Sequence, residues 1–152
     1  MQPRIAHPAM LIPDAMTALQ AVGAAIGNGG LPSSTIELVN MRASQINGCG
    51  VCIEGHARDA VNHGETLDRL LLVAGWRDTP NFTEAERAAL ALTEAVTRLS
   101  DRPDAVPDEI WAEASRHYND NELAVLVLQI ANINLWNRLN IATKQQAGTY
   151  KW

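Results

Sequence analysis

The sequence predicts an all-helical fold of about seven helices, formed by a single domain that covers residues 1–152. Hydrophobic residues make up 47% of the chain and charged residues 19%, which suits one compact domain. The aromatic residues are four Trp, two Tyr and one Phe, too few for the aromatic and β-branched alternation typical of sheets. Residues that begin helices, and glycines that end them, recur along the chain at helical lengths.

Four helices are predicted in the first half of the chain: residues 15–26, 34–46, 49–63 and 66–74. Asp14 can cap the first helix, which ends in a cluster of glycines. Ser34 and Glu37 have the spacing of a capping box, in which each side chain satisfies a free backbone N–H group. The spacing alone therefore predicts that Glu37 caps the start of the second helix and has no catalytic role.

Three helices are predicted in the second half: residues 84–100, 107–117 and 121–143. Thr83 and Glu86 form a second capping-box pattern ahead of an apolar stretch with helical period. Pro107 suits a first helical position, where its missing N–H is not needed. Asn119 or Asp120 can cap the last helix, which is apolar on most of its circumference. Such a helix is usually buried centrally or in a subunit interface.

The charge balance excludes some classes of partner. Lys and Arg total 12 against 17 Asp and Glu, a formal net charge of -5, which disfavours nucleic acid. Neither a signal peptide nor a membrane span is expected, because prolines and polar residues interrupt every apolar stretch before it reaches about 20 residues. We expect a cytoplasmic protein.

Two cysteines, Cys49 and Cys52, are the feature that most needs a chemical explanation. On one helix Cys49, Cys52 and His56 fall at about 0°, 300° and 340°, so all three share a stripe. Helical residues three apart are about 5 Å apart, a separation that a disulfide accepts. In a reducing compartment such a pair is redox-active or metal-binding more often than it is a permanent crosslink.

Two effects compete in deciding which sulfur is the nucleophile. The helix N-terminus would favour a thiolate at Cys49. His56 lies four residues after Cys52, within side-chain reach, and would favour Cys52. A proton acceptor usually lowers the barrier more than a partial dipole charge does, so Cys52 is preferred, with Cys49 as the resolving thiol. The residues alone leave both assignments open.

A metal site is an alternative interpretation of the same stripe. Cys49, Cys52 and His56 could bind zinc together with a fourth group. His63 cannot complete this site, because about 21 Å of helix separates it from Cys49. For His63 a place in the last helical turn is the simpler interpretation.

The segment from Glu37 to His56, with Cys49 and Cys52 between them, resembles the alkylhydroperoxidase D-like branch of the carboxymuconolactone decarboxylase family. The resemblance continues through residues 82–92 and 134–140 and covers roughly residues 34–143. It implies an all-α, oligomeric fold, often a trimer or hexamer. It also implies a peroxidase in which Cys52 attacks the hydroperoxide, Cys49 resolves it to a disulfide, and His56 and Glu37 relay the proton.

The same resemblance implies the partners of the reaction. The oxidant would be a small organic hydroperoxide, and the electrons would come from a small dithiol or from a protein whose redox-active disulfide is in its reduced form, with no metal or organic cofactor. Some members carry a His directly before the second cysteine, where this chain has Val51. The rivals are a lactone decarboxylase, disfavoured because decarboxylation has no use for a resolving thiol, and a redox-sensing or metal-binding module without turnover.

Other polar residues are expected to have no role in the site. His7 and His117 are predicted at the surface, His7 in a mobile N-terminus. Arg42 is expected to form a surface or interface ion pair. Five polar residues of the last helix are expected to make hydrogen bonds at a subunit contact: Asn132, Asn134, Asn137, Arg138 and Asn140.

Overall fold

The computed structural model describes residues 2–148, and every regular element in that range is helical. The α-helices are α1 (Pro8–Leu11), α2 (Pro13–Gly27), α3 (Ser33–Asn47), α4 (Gly50–Asn62), α5 (Leu67–Leu72), α6 (Glu84–Thr97), α7 (Asp108–His117) and α8 (Asp120–Ala142). Two 3-10 helices, Val73–Asp78 and Leu99–Asp101, follow α5 and α6. The predicted all-α class is confirmed.

The seven predicted helices correspond to α2 through α8, with ends that differ by a few residues. The additional helix α1 lies in the segment predicted to be mobile. It begins after His7, whose ring Nδ1 accepts a hydrogen bond from the backbone N–H of Ala9. Residues 73 and 74 belong to the 3-10 helix that follows α5, where Gly75 has non-helical backbone angles.

Two of the predicted helix starts are confirmed in detail. Thr83 and Glu86 form a reciprocal capping box at α6, and Asn119 caps α8 with Glu122 as its partner. The capping box predicted for Ser34 and Glu37 is wrong. Helix α3 begins one residue earlier, after Pro32, and no side chain caps it. This shift moves Ser34 inside the first turn and leaves Glu37 free for another contact.

Helix α3 is the central element, since it packs against α4, α6 and α8. One apolar cluster joins α3, α6, α7 and α8 around Val39, Leu92, Leu126 and Ile130, all of them buried. A second joins α3, α5 and α6 with the intervening 3-10 helix. The third brings Cys49, Cys52 and Ile133 together where α3, α4 and α8 meet. The cysteine pair therefore lies inside the helical packing.

In the part of the chain that the structure describes, no helix combines the length and the apolar character that crossing a bilayer requires.

Candidate active site at the Cys49–Cys52 pair

The turn between α3 and α4 places both cysteines. Gly48 ends α3 with a left-handed backbone, φ 72°, a conformation that favours glycine. Cys49 follows as the N-cap of α4, and its sulfur accepts a hydrogen bond from the backbone N–H of Cys52 at 3.4 Å. The two Cα atoms are 5.4 Å apart and the sulfurs form a disulfide. The pair therefore has the geometry to interconvert between dithiol and disulfide.

A cavity of about 390 Å³ opens beside one of the two sulfurs. Cys52 lines this cavity and Cys49 is absent from the described lining residues. Both residues are almost fully buried, at 4% and 2% exposure. A small molecule in the cavity would therefore meet Cys52 first.

The surface of the cavity wall is mostly apolar, although half of the lining residues are polar. Met10, Met16, Val51, Ile133 and Trp136 form its apolar part, and His7, Gln20, His56, Gln129, Asn132 and Asn140 its polar part. An apolar cavity with a few polar groups beside a reactive atom is the usual form of a small-molecule site. The wall suits an organic molecule better than a hydrophilic one.

His56 lines the same cavity and is held from behind by Glu37. The ring Nδ1 lies 2.8 Å from Glu37 Oε2. A carboxylate accepts hydrogen bonds, so this contact places a proton on Nδ1 and turns Nε2, the other ring nitrogen, away from Glu37. The structure thus brings the four predicted site residues together, since Cys52 and His56 line one cavity, Cys49 is bonded to Cys52, and Glu37 contacts His56.

Two amides fix the position of Glu37. Asn40 Nδ2 lies 3.4 Å from Glu37 Oε2 and 3.2 Å from His56 Nδ1, and Gln129 Nε2 donates to Asn40 Oδ1. Asn40 and Gln129 are both buried. The chain of contacts orients the carboxylate, and through it the imidazole.

Asn140 is a site contact that was not predicted from the sequence. Its Nδ2 donates a hydrogen bond to Cys52 Sγ at a distance of 3.4 Å, and Asn140 itself is 6% exposed. Asn134 and Asn137 of α8 are also buried, and the side-chain oxygen of each accepts a hydrogen bond from Asn47 Nδ2 at the end of α3. These three asparagines make their hydrogen bonds within the chain, so the expected subunit contact is wrong for them. A signal was present, since Gln129, Ile133, Trp136 and Asn140 recur at helical spacing on one face of α8.

His7 is also placed differently from the prediction. It is 6% exposed, lines the cavity, and stacks on Trp136 with ring centroids 5.6 Å apart. Burial lowers its pKa below the ordinary 6.5. The backbone N–H of Arg4 and the side chain of Gln145 hold the preceding segment to the end of α8. The prediction of a mobile surface histidine is therefore wrong, whereas His117 is exposed as predicted.

Arg42 forms the predicted ion pair, and the pair is largely buried. Its guanidinium contacts Glu94 at 2.6 Å, and Arg77, Arg98 and Trp76 converge on the same carboxylate. These five residues form the Glu94 cluster. Burial opposes the charged form of Glu94, but the hydrogen bonds outweigh it and keep its pKa below the ordinary value.

The zinc site considered for Cys49, Cys52 and His56 requires a cluster of ligand side chains. Among residues 2–148, His, Cys, Asp and Glu side chains do not form any group of three or more arranged to hold a metal ion. His63 lies at the end of α4, exposed, with Nδ1 against the Asp59 carbonyl.

Sequence relatives connect the chain to described proteins. The model of the carboxymuconolactone decarboxylase family matches residues 13–95. The uncharacterized protein YdfG of Bacillus subtilis is 38% identical over 116 residues, 76% of this chain and 78% of its own length. Alkyl hydroperoxide reductase AhpD of Beijerinckia indica is 42% identical over 45 residues, 30% of this chain and 25% of its own.

Solved structures share the fold. A protein of unknown function from Agrobacterium tumefaciens, described as a candidate antioxidant defence protein AhpD, has a TM-score of 0.90 and 31% identity over 98% of this chain and all of its own. The debrominase Bmp8 in complex with 2,3,4-tribromopyrrole has a TM-score of 0.81 at 22% identity, over 91% of this chain and 73% of its own. The chain belongs to the carboxymuconolactone decarboxylase family, in its alkylhydroperoxidase D-like branch.

Proposed function

We propose that this protein is a thiol peroxidase that reduces small organic hydroperoxides, with Cys52 as nucleophile and Cys49 as resolving thiol. The observation that carries the proposal is the position of Cys52 on an apolar cavity that it shares with His56. Residues 1–152 act as one domain in this proposal, and neither a metal nor an organic cofactor takes part.

The reaction uses the two sulfurs in turn. His56 Nε2 accepts the Cys52 proton, and the thiolate attacks the outer oxygen of the hydroperoxide. The O–O bond breaks, the alkoxide leaves as an alcohol with the proton from His56, and Cys52 becomes a sulfenic acid. The Cys49 thiol then attacks Cys52 Sγ, water leaves, and the disulfide forms.

A dithiol donor returns the pair to its reduced form. One donor thiol opens the Cys49–Cys52 disulfide to a mixed disulfide, and the second donor thiol releases the protein as a dithiol. The donor itself leaves as a disulfide, so two electrons and two protons enter per hydroperoxide reduced. Such a cycle suits a reducing compartment such as the cytoplasm.

The proton relay in this proposal consists of His56 and Glu37. Val51 stands where some family members have a histidine, and it is 3% exposed in the cavity wall. An apolar side chain cannot carry a proton. The whole transfer from sulfur to alkoxide therefore depends on His56.

A homo-oligomer, a trimer or a hexamer, is part of the proposal. Helix α1 and the residue after it expose large apolar side chains, with Leu11 at 57% and Ile12 at 60%, and Leu128 of α8 is 53% exposed. Between Arg4 and Glu37, Asp14 is the only Asp, Glu, Lys or Arg. Weakly charged apolar surface of this kind marks association sites. Size-exclusion chromatography with light scattering would give the number of subunits. A monomer at micromolar concentration would contradict the proposed oligomer.

The function is tested by peroxide consumption with variants of both cysteines. Reduced wild-type protein should consume aryl and alkyl hydroperoxides catalytically with a small dithiol, and Cys52→Ser should be inactive. Cys49→Ser should complete one turnover and stop. Loss of the first turnover in Cys49→Ser but not in Cys52→Ser would exchange the roles, and full activity in both variants would end the peroxidase proposal.

The cavity wall favours one second candidate, reductive removal of bromine from a small aromatic ring. The stacked rings of His7 and Trp136 give the cavity flat surfaces, and the side chains of Met10 and Met16 add apolar area. The same dithiol would supply two electrons, the aromatic C–Br bond would become C–H, and bromide, a proton and the disulfide would form. Bromide release from a bromopyrrole, measured beside hydroperoxide loss, separates the two candidates.

The two other rivals have distinct outcomes in the same assays. A decarboxylase would release carbon dioxide from a lactone acid without change in thiol content. A redox-sensing or metal-binding module would oxidise once or bind zinc stoichiometrically and show no turnover with any dithiol.

A further inference from the structure

Asn140 touches the sulfur that faces the cavity. It lies in the last turn of α8, 6% exposed, and its Nδ2 is 3.4 Å from Cys52 Sγ. The residues are 88 positions apart in sequence, so packing of α8 against α4 brings them together. Asn140 also lines the cavity itself, which places its amide where the sulfur meets a ligand.

The surroundings of Cys52 Sγ would otherwise disfavour a thiolate. Val51, Ile133 and Trp136 contribute apolar surface to the same cavity, and Cys52 is 4% exposed. An anion with this little access to water is costly unless a donor faces it. An amide N–H group of Asn140 is such a donor, and donors to charged acceptors form the stronger class of hydrogen bonds.

His56 acts on the sulfur through its proton, which it takes from the thiol and then gives to the leaving alkoxide. Its Nδ1 is engaged with Glu37, so Nε2 is the nitrogen that carries this proton. Its charge therefore changes during the reaction. The Asn140 amide, in contrast, donates in every protonation state of the site.

We propose that Asn140 is a catalytic residue, whose side-chain amide donates a hydrogen bond to the Cys52 thiolate and so sets the fraction of the enzyme that is ready to attack. The inference rests on the proposed function for its catalytic consequence, but its physical content is the ionisation of Cys52 alone. Removing the donor should raise the pH at which Cys52 ionises.

The test is an equilibrium titration in a Cys49→Ser background, where Cys52 is the remaining thiol. Thiolate absorbance in the ultraviolet is followed against pH. Asn140→Leu, of similar size but without a donor, should move the ionisation midpoint up by about one pH unit, a tenfold loss of thiolate below the midpoint. Asn140→Asp should move it at least as far, because a carboxylate faces the sulfur with negative charge.

The matched control is Asn132→Leu. Asn132 lines the same cavity from the same helix, and the structure gives it no hydrogen bond to Cys52. It should leave the ionisation midpoint where it was, so a shift common to Asn132→Leu and Asn140→Leu would overturn the proposal by indicating a general change in cavity polarity.

A second measurement leaves Asn140 intact and so does not depend on the folding of an Asn140 variant. In the Cys49→Ser protein, the side-chain amide protons of Asn140 should shift downfield in NMR spectra at the pH where Cys52 ionises. Amide protons that do not respond, or an unchanged midpoint in folded Asn140→Leu and Asn140→Asp, would overturn the proposal. Absence of hydroperoxide turnover in the wild type would instead remove the proposed function and leave the titration valid.

Discussion

Two largely buried polar groups each include a residue of α3. One is the Glu94 cluster, and the other is the sulfur centre, formed by Cys49, Cys52, His56 and Glu37. They differ in whether every polar atom has a partner within the protein. Glu94 Oε1 contacts Arg42 and Trp76, and its Oε2 contacts Arg77 and Arg98. Both oxygens of this carboxylate are used. A fully satisfied network of this kind stabilises a fold and has no free atom with which to react.

In the sulfur centre, hydrogen bonds hold one side of the site, and the other side faces a cavity. Glu37, Asn40 and Gln129 hold one side of the imidazole, while Cys52 and His56 border a cavity. Cys52 and His56 can therefore react with a molecule in the cavity, whereas both oxygens of Glu94 are already bonded to protein groups. Loss of a residue should reduce activity at the sulfur centre and stability at the Glu94 cluster.

The largest expected effect is on the rate of hydroperoxide reduction, when His56 is replaced. His56→Gln removes the proton acceptor, and the rate of hydroperoxide reduction should fall about 100-fold, within the usual range for a general base. The melting temperature should change little, because His56 is partly exposed. His117→Gln is the matched control, since His117 is bonded to Glu113 outside the cavity. Equal rate losses in both variants would contradict the distinction.

The next effect is on stability, at Glu94. Glu94→Gln leaves three arginines around a neutral amide, and we expect the free energy of unfolding to fall by about 2 kcal/mol. Activity should be preserved. Urea denaturation measures the difference, with Glu113→Gln as the control, because Glu113 forms exposed ion pairs with Arg116 and His117.

The pH dependence of that difference follows from the lowered pKa of Glu94. The folded pKa lies below the unfolded value of about 4.5, so the stabilisation is present above pH 4.5 and is lost as pH falls through the folded value. The gap between wild type and Glu94→Gln should close in acid. A gap that widens in acid would contradict the assignment.

A smaller effect separates the two capping patterns. Thr83→Ala should cost about 1 kcal/mol of unfolding free energy, because its hydroxyl accepts the Glu86 N–H. Ser34→Ala should change stability by less than about 0.5 kcal/mol, since no side chain caps α3. Chemical denaturation of both variants checks the difference. A cost at Ser34 equal to that at Thr83 would indicate that Ser34 caps α3 after all.

The smallest effect concerns His7, at the edge of the sulfur centre. Its folded pKa is lowered by burial, so the folded state resists protonation and stability falls as pH drops below the ordinary 6.5 towards the folded value. His7→Phe keeps a ring against Trp136 and removes this titration. The variant should lose less stability than wild type between about pH 7.5 and pH 5.5, as denaturant midpoints at the two pH values would show.

The sequence predicts the local features of this molecule well and its long-range contacts poorly. Helix starts at Thr83 and Asn119 depend on residues three positions away, and the stripe of Cys49, Cys52 and His56 lies within α4 and the residue that caps it. These are short-range rules.

The remaining contacts depend on how distant helices meet. Residue spacing does not predict that Glu37 reaches His56 across 19 residues, which the family resemblance alone implies, and neither predicts that Asn140 reaches Cys52 across 88. The spacing from Ser34 to Glu37 suggested a local cap, and the one-residue shift of α3 removed it. His7 was misplaced for the same reason, since its burial is supplied by Trp136 at the other end of the chain.

Oxidation of Cys52 by a hydroperoxide is the step on which the proposed chemistry depends, and trapping the sulfenic acid is the decisive experiment. Reduced Cys49→Ser protein is treated with one equivalent of an aryl hydroperoxide in the presence of dimedone, and the adduct is located by peptide mass spectrometry. We expect stoichiometric labelling of Cys52 and release of one equivalent of the alcohol. An unmodified Cys52 with the hydroperoxide left intact would refute the peroxidase mechanism.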